Sequence, residues 1–409
     1  MRQLIRSEAP LFAAFFVSAI GAGGSTIVRP LFSASFGVSL FFVALINTAG
    51  PVARLVAAPI AGALSDRVGR RPLAMTGLAI RSLFSFISFF ATSYPQFLLF
   101  EFIGSIGLSV WTTAGTIVVA DVSSNINRGR AVALRTSSQR LGNMIGPIIA
   151  GILGQAFGLR FIFLVNAFGK FGAFLIFLFM IGESRPESAA TAASAPNRRR
   201  TSVFPKREDI AKFMNGPVLV VLFATAAINV VSGAGAFESL FPIHVRDEAG
   251  FSTADIGWMV SVVALATFLV SVPNGIMMDK LGRKASLLPG MLILGLASFL
   301  IAGGRDFTSI LIAVIILGLG EGMCQGTLQV LAMDLAPEDS RGAFLGVWQF
   351  LTSVAGIIVP LALGTFGSNF GTTSTFIAAA VVVLVAVPML GLFVPETKAA
   401  SPAETTAAG

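Results

Sequence analysis

The chain has 409 residues, of which 55% are hydrophobic and only 12% are charged, and its mean hydropathy is +0.85. Water-soluble globular domains carry about 25% charged residues, so this composition excludes a water-soluble fold of this length. The formal net charge of +8 would suit a nucleic-acid ligand, but the positions of the Lys and Arg residues, described below, argue against that partner.

Twelve apolar segments follow one another along almost the whole chain. Each has about 20 residues or more, enough to cross the ~30 Å hydrocarbon core of a bilayer as an α-helix. They lie near residues 10–31, 39–64, 72–93, 96–121, 131–156, 159–181, 216–243, 252–278, 286–304, 307–334, 342–367 and 371–394. The sequence therefore predicts an all-α membrane protein with 12 transmembrane helices, arranged as two pseudo-symmetric six-helix bundles.

The longest break in hydrophobicity separates the first six segments from the last six. It is rich in Ala, Ser, Thr and charged residues, which cannot bury a core. We predict an N-terminal six-helix bundle over residues 1–181, a cytoplasmic linker over 182–215, a C-terminal six-helix bundle over 216–395 and a cytoplasmic tail over 396–409.

The Lys and Arg residues are distributed unevenly between the two sides of the membrane. Most of the 28 lie at the amino terminus, in the loops after every second segment and in the tail. The opposite loops hold only Arg160, Arg246, Arg305 and, at the end of the first segment, Arg29. Because Lys and Arg are retained on the cytoplasmic side, we predict a multi-pass protein of the cytoplasmic (inner) membrane with both termini in the cytoplasm and no nucleic-acid partner.

A ten-residue motif, G-x-x-x-D-[RK]-x-G-R-[RK], occurs at residues 62–71 and again 213 positions later, at residues 275–284. The first copy contains Gly62, Asp66, Arg67, Gly69 and Arg70. The second copy contains Gly275, Asp279, Lys280, Gly282 and Arg283. The offset extends beyond the motif, since Asp121 corresponds to Asp334. The two halves are therefore predicted to be parallel repeats.

With this motif, the twelve segments and the central linker, the sequence resembles the major facilitator superfamily of secondary transporters, and within it the 12-helix drug:proton antiporters. The resemblance implies alternating access to a substrate site between two bundles. It also implies that the motif loops form a cytoplasmic latch, in which Arg70 pairs with Asp121 and Arg283 with Asp334. The first glycine of each motif is expected to permit close helix approach. The alternative is that the motif cations only set the topology.

A second signature lies in the fifth segment, which resembles the G-x-x-x-G-P-x-x-G-G element associated with proton-coupled antiporters. It comprises Gly142, Gly146, Pro147 and Gly151. The match departs at Ala150, and the alternative is that these glycines serve ordinary helix packing. Exporters of this group commonly carry an arginine early in the fourth segment, where this chain has Glu101.

Ionisable residues inside membrane helices are costly and are functional candidates by default. Glu321 is the first candidate for proton coupling, followed by Glu101 and Glu238, and for each the alternative is a structural role. Arg54 and Arg140 are candidates for binding an anionic substrate group or for acting as counter-ions. Three further candidates for a substrate site, which also suit ordinary helix packing, are Trp111, Gln325 and Asn229.

The sequence thus predicts a secondary transporter that exports small amphiphilic compounds in exchange for protons. It is expected to act as a monomer in the lipid bilayer, without a cofactor or metal. The alternatives are a transporter of a small organic anion and a non-transporting membrane receptor. An enzyme is not expected, because the sequence has no nucleotide-binding loop and only a single histidine, His244, and a single cysteine, Cys324.

Overall fold

The computed structural model describes residues 2–122, 128–182, 210, 213–233, 235–337 and 340–396, and the regular elements within them are α-helices. In chain order these are α1 (Arg2–Ala34), α2 (Leu40–Val68), α3 (Arg70–Ser88), α4 (Tyr94–Val122), α5 (Arg128–Phe157), α6 (Arg160–Met180), α7 (Gly216–Val231), α8 (Ala236–Ala249), α9 (Thr253–Leu281), α10 (Arg283–Gly303), α11 (Phe307–Asp334) and α12 (Arg341–Phe393). The side chains of two motif residues, Asp66 and Arg67, lie outside the described part.

Nine stretches of the described residues are long and apolar enough to cross a membrane. The helices α3 and α5 are not among them, and both carry arginines within their length. The last stretch, Ala343–Phe393, has 51 residues and would be about 75 Å long as one helix. That length is more than twice the hydrocarbon core, so the stretch suits two spans. The total of twelve spans stays a prediction.

The turns of the two repeats have the same backbone conformation. Glycine alone adopts a positive φ at little cost, because it lacks a Cβ atom. Six positive-φ glycines form three pairs at the 213-residue offset: Gly37 (71°) with Gly250 (72°), Gly69 (109°) with Gly282 (102°), and Gly158 (94°) with Gly371 (82°). The third pair explains why α12 is interrupted at Gly371, since the corresponding Gly158 separates α5 from α6.

One break in the helices has no counterpart in the first repeat. The sequence predicts a single segment over 216–243, but the structure has α7 ending at Val231 and α8 beginning at Ala236. Gly233 in this break has a φ of 56°, whereas the corresponding position in α1 lies within a continuous helix. A Cβ atom at Gly235 would meet the carbonyl oxygen of Asn229. The helix is therefore interrupted within the predicted segment, while Gly216–Ala249 as a whole is one of the nine stretches long enough to cross a membrane.

The chain forms two compact units. The first unit contains Met1–Val203 together with Glu238–Ser261, and the second contains Phe204–Phe237 and Val262–Gly409. Segment 238–261 therefore groups with the first unit, and the predicted domain boundaries stay a prediction. The interior of the first unit contains two hydrophobic clusters of aliphatic and aromatic side chains, one around Trp111 and another around Phe97.

Helix pairs in the two units correspond. In the first unit α1 packs against α5, while α3 packs against both α4 and α6. In the second unit α7 packs against α12, while α10 packs against both α11 and α12. The repeat found in the sequence is therefore also a repeat of packing within each unit.

Candidate functional site: two latch regions and a buried charge cluster

The first latch region lies where α2 meets α3. The positive φ of Gly69 ends α2 at Val68 and starts α3 at Arg70 without an intervening loop. The Arg70 side chain is buried, and its Nε donates a hydrogen bond to Asp121 Oδ2 at 2.9 Å. Its Nη1 donates to the carbonyl oxygen of Ser65 at 3.3 Å. The ion pair thus joins the start of α3 to the end of α4.

The second latch region repeats this geometry at the junction of α9 and α10. Arg283 Nε donates to Asp334 Oδ2 at 3.1 Å, and its Nη1 donates to the carbonyl oxygen of Met278 at 2.9 Å. Nη1 also donates to Asp279 Oδ1 at 3.1 Å. Both pairs expected from the family resemblance are therefore in contact, while their role as a latch stays a prediction.

The next residue of each motif contacts the end of another helix. Arg71 Nη2 donates to the carbonyl oxygen of Leu178 in the last turn of α6, at 2.5 Å. At the 213-residue offset, Lys284 Nζ donates to the carbonyl oxygen of Gly391 in the last turn of α12, at 2.8 Å. The last carbonyls of a helix lack intrahelical partners and carry partial negative charge, which favours a cation. Each latch region thus contacts three helices.

Glu396 is a member of the second latch region for which sequence reasoning assigned no role. Its Oε1 accepts hydrogen bonds from the backbone N–H groups of Arg283, at 2.6 Å, and of Lys284, at 3.2 Å. A carboxylate at a helix amino terminus satisfies free N–H groups and complements the helix dipole. Glu396 therefore caps α10, whereas the corresponding Glu183 lies outside the described residues.

The first glycine of each motif does not mark a close helix contact. A Cβ atom added at Gly62 or Gly275 would find no atom of a neighbouring helix within 4 Å among the residues that the structure describes. The expectation of close approach at these positions is wrong for this structure, because the neighbouring helices lie farther away.

A buried charge cluster occupies the interior of the first unit. Glu101 on α4 and Arg81 on α3 are only 1% and 2% exposed. Arg81 Nη1 and Nη2 donate to the two carboxylate oxygens of Glu101 at 3.1 and 3.4 Å. Arg29 on α1 adds a hydrogen bond from its Nε at 2.9 Å. Glu101 is thus enclosed by two guanidinium groups, which suits the alternative of a structural ion pair.

Glu238 and Arg54 lie near this cluster. Glu238, in the first turn of α8, interacts electrostatically with Arg29 and Arg54. The adjacent Ser239 accepts a hydrogen bond at 2.9 Å from Nδ2 of Asn47 on α2. This contact joins α8 to the rest of the first unit, next to a partly buried carboxylate.

The remaining polar candidates are divided between the two units. Glu321 on α11 is partly exposed and accepts a hydrogen bond from the Gln325 side chain one turn later. Asn229 on α7 donates to the carbonyl oxygen of Thr225 in its own helix, at 2.8 Å. Arg140 on α5 is partly exposed in the first unit. Among these candidates, Glu321 and Gln325 are in direct contact.

Trp111 is part of a buried hydrophobic cluster of the first unit. Its side chain is 1% exposed, and its ring lies 4.8 Å from that of Phe15 and 5.1 Å from that of Phe177. This burial favours the alternative of ordinary helix packing, and a substrate role for Trp111 stays a prediction.

The glycines of the α5 signature make very close contacts between helices. A Cβ atom on Gly142 would lie 2.6 Å from Ala19 Cβ, and one on Gly146 would meet the backbone of Ile20, so both glycines press α5 against α1. Pro147 contacts α1 at Gly23, where an added Cβ would lie 3.0 Å from its ring. A Cβ on Gly151 would lie 2.8 Å from the carbonyl oxygen of Thr253, at the start of α9. This geometry supports the packing alternative, and a role in antiport is not tested by it.

Two further cations of the first unit lie inside helices: Lys170, which is buried, and Arg135, which is partly buried. Lys170 Nζ donates to the carbonyl oxygen and to the hydroxyl of Ser18, at 2.6 and 2.7 Å. The guanidinium of Arg135 lies 4.9 Å from the centre of the Phe15 ring, and its buried Nε has no hydrogen-bond partner among the described residues. A charge inside an apolar segment was the available signal, but the contacts that hold each cation depend on helix rotation.

These features agree with comparisons to known proteins. A family model described as Major Facilitator Superfamily matches residues 11–252 and 223–409. The chain belongs to the Major Facilitator Superfamily. It is 23% identical to Multidrug resistance protein MdtG of Enterobacter lignolyticus, over 95% of this chain and 88% of that protein. It is 24% identical to Multidrug resistance protein 2 of Bacillus subtilis, over 92% of each.

Solved structures of superfamily members share the fold of this chain. A D-xylose–proton symporter matches with a TM-score of 0.75 and 18% identity, covering 95% of this chain and 98% of that one. The human organic anion transporter MFSD10 matches with a TM-score of 0.66 and 18% identity, covering 94% and 99%. The family and the all-α membrane fold predicted from the sequence are thereby confirmed, and the chain is a multi-pass membrane protein of a transporter family. Among the described residues no cluster of His, Cys, Asp and Glu suits a metal ion.

Proposed function

We propose that this superfamily member is a secondary active transporter that works by alternating access and exports small amphiphilic compounds in exchange for protons. The observation that carries the proposal is the recurrence of one latch geometry in both units. In each, an arginine after a positive-φ glycine donates through Nε to an aspartate and through Nη1 to the preceding helix. Two equivalent latches, both on the cytoplasmic side in the proposed topology, suit a transporter that closes that side and opens it again.

The amphiphilic substrate and the outward direction are supported by the relatives, whose names describe them as multidrug resistance proteins. The proposal includes twelve spans, both termini in the cytoplasm, and action as a monomer.

Glu321 is the carboxylate to which we assign proton coupling. A coupling residue must exchange protons with water, so its side chain must be reachable. Glu321 is partly exposed, whereas Glu101 is 1% exposed and held by two arginines. Glu238 is less suitable, because it lies near the arginines of the buried cluster.

The test is transport into inverted proteoliposomes under an imposed pH gradient, with fluorescent cationic dyes as substrates. Glu321→Gln should bind the dyes and unfold at the wild-type temperature, yet lose transport driven by the gradient. Glu248→Gln, at an exposed carboxylate in the last turn of α8, is the matched control and should transport like the wild type. Gradient-driven transport by Glu321→Gln at the wild-type rate would remove Glu321 from this role.

A second candidate function is transport of a small organic anion. The observation that favours it is the excess of cations in the first unit, where Arg54 is exposed and Arg135 has an unpartnered Nε. In this case Arg54→Gln or Arg140→Gln should weaken the inhibition of transport by anionic compounds, while the inhibition of transport by cationic dyes stays unchanged. A protein that binds ligands but shows no counterflow would instead be a non-transporting receptor.

A further inference from the structure

A closed hydrogen-bond network joins α9, α10 and α11 in the second unit. Nδ2 of Asn274 donates to Oγ1 of Thr327 and to the carbonyl oxygen of Met323, each at 3.1 Å. The Asn274 Oδ1 and the Ser286 hydroxyl form a further hydrogen bond. Asn274 is 4% exposed, and Ser286 and Thr327 are fully buried. Three helices are thus connected through polar side chains that have no access to water.

The side chains of this network satisfy one another. Ser286 Oγ lies 3.0 Å from Thr327 Oγ1, and Thr327 Oγ1 donates to the carbonyl oxygen of Met323 at 2.7 Å. A buried polar group without a partner costs free energy, so a network of this kind is satisfied in one arrangement of its helices and penalised in others. We will call Asn274, Ser286 and Thr327 the polar triad.

The first repeat has no such network. At the 213-residue offset the polar triad corresponds to Ala61, Leu73 and Ala114. These three residues are buried together in one hydrophobic cluster of the first unit. The corresponding helices α3 and α4 pack against each other as α10 and α11 do, but with apolar side chains at these positions, so this packing does not require polar residues there. The polar triad therefore has a role that is specific to the second unit.

The polar triad lies close to the second latch region along each of its helices. Ser286 is three residues after Arg283 on α10, and Thr327 is seven residues before Asp334 on α11. Asn274 is five residues before Asp279 on α9. At ~1.5 Å per residue, these separations correspond to about 5–10 Å along each helix axis. The network thus fixes the rotation of the three helices that carry Arg283 and its two partners, Asp279 and Asp334.

We propose that the polar triad positions the second latch, by holding α10 so that Arg283 stays aligned with Asp334. The two latches then differ at these positions: the second has a hydrogen-bonded triad beside it, and the first has the apolar residues Ala61, Leu73 and Ala114. This inference rests on the proposed alternating-access function for its role in transport, but the alignment is a property of the protein that can be measured without transport.

The experiment is a double-mutant cycle of Arg283→Gln and Asp334→Asn, measured as shifts in the unfolding temperature of the purified full-length protein. It is run in two backgrounds: the wild type and the triple variant Asn274→Ala/Ser286→Leu/Thr327→Ala. The triple variant copies the apolar residues of the first repeat, so its packing has a precedent within the chain. In the wild type the two shifts should be non-additive, as is usual for residues in contact. In the triple variant they should become additive.

The same cycle of Arg70→Gln and Asp121→Asn is the control, and its coupling should be equal in both backgrounds. Two single variants give a second measurement should the triple variant not fold. Thr327→Ser keeps the hydroxyl and should preserve the coupling between Arg283 and Asp334, whereas Thr327→Val keeps the shape and should reduce it. Full coupling in the triple variant, or equal coupling in Thr327→Ser and Thr327→Val, would overturn the inference.

Transport measurements separate this inference from the proposed function. If the latch couples to transport as proposed, the triple variant should also change the rate of dye export by about tenfold, the factor that corresponds to ~1.4 kcal/mol. A wild-type protein that exports no dye would refute the proposed function. The double-mutant cycle, which is measured by the unfolding temperature, would still test whether the polar triad positions the latch.

Discussion

Replacing Glu101 by valine should strongly destabilise the first unit, because it leaves the guanidinium group of Arg81 buried without its carboxylate. Arg81 is 2% exposed, and its Nη1 and Nη2 both donate to Glu101. Its Nε already has no hydrogen-bond partner among the described residues. Removing one partner of a buried ion pair costs about 3–5 kcal/mol, so we expect Glu101→Val to lower the free energy of unfolding by that amount.

The second repeat supplies a matched control for this variant. At the 213-residue offset Arg81 and Glu101 correspond to Leu294 and Val314, which are both fully buried. The double variant Arg81→Leu/Glu101→Val copies them and removes both charges together. Apolar replacement of a buried ion pair is often neutral or stabilising by about 1–4 kcal/mol, so the double variant should be at least as stable as the wild type. Arg29 keeps its electrostatic interaction with Glu238 in both variants.

The assay is unfolding of the purified protein by sodium dodecyl sulfate in mixed micelles, followed by tryptophan fluorescence and checked by thermal unfolding. Trp111 reports on the core of the first unit directly. If the double variant is as unstable as Glu101→Val, the reasoning is refuted, because the loss would then come from altered packing and not from an unpaired buried charge.

Two further predictions concern backbone and charge. Gly158→Ala and Gly371→Ala should each lower the free energy of unfolding by about 1–2 kcal/mol, because both positions have a positive φ. A Cβ atom would meet only open space at either position, so the backbone conformation alone causes the loss. Gly50→Ala, inside α2 with the same open space, should not destabilise the protein in the same unfolding assay. Hydrogen bonds from Ser309 hold the pKa of Asp306, at the start of α11, below its ordinary value. The cap should therefore stabilise α11 at neutral pH and lose its effect as the pH falls through that lowered pKa, which acid titration of wild type and Asp306→Ala would show.

Some contacts of the latch regions could be predicted from the sequence, because the family resemblance implies them at matching positions of the two repeats. The pairs Arg70–Asp121 and Arg283–Asp334 are both present at about 3 Å. The cap that Glu396 places on α10 was not predicted, since a carboxylate 113 residues after Arg283 has no local signal for its partner. The burial of Trp111 was not predicted for a related reason: the sequence of an apolar helix does not show whether an aromatic residue lines a cavity or fills a core.

The sequence by itself determined the family, the apolar helices and the 213-residue repeat, because apolar length and turn glycines act locally and survive duplication. Only the tertiary structure decided which charges meet. Arg29 and Arg81 lie 72 and 20 residues from Glu101, and the three side chains meet only through the packing and rotation of α1, α3 and α4. The same holds for the polar triad, which no single helix reveals. At positions where the two repeats differ in polarity, helix packing decides which side chains pair. A buried charge or amide is stable only where another helix supplies an opposite charge or a hydrogen-bond partner.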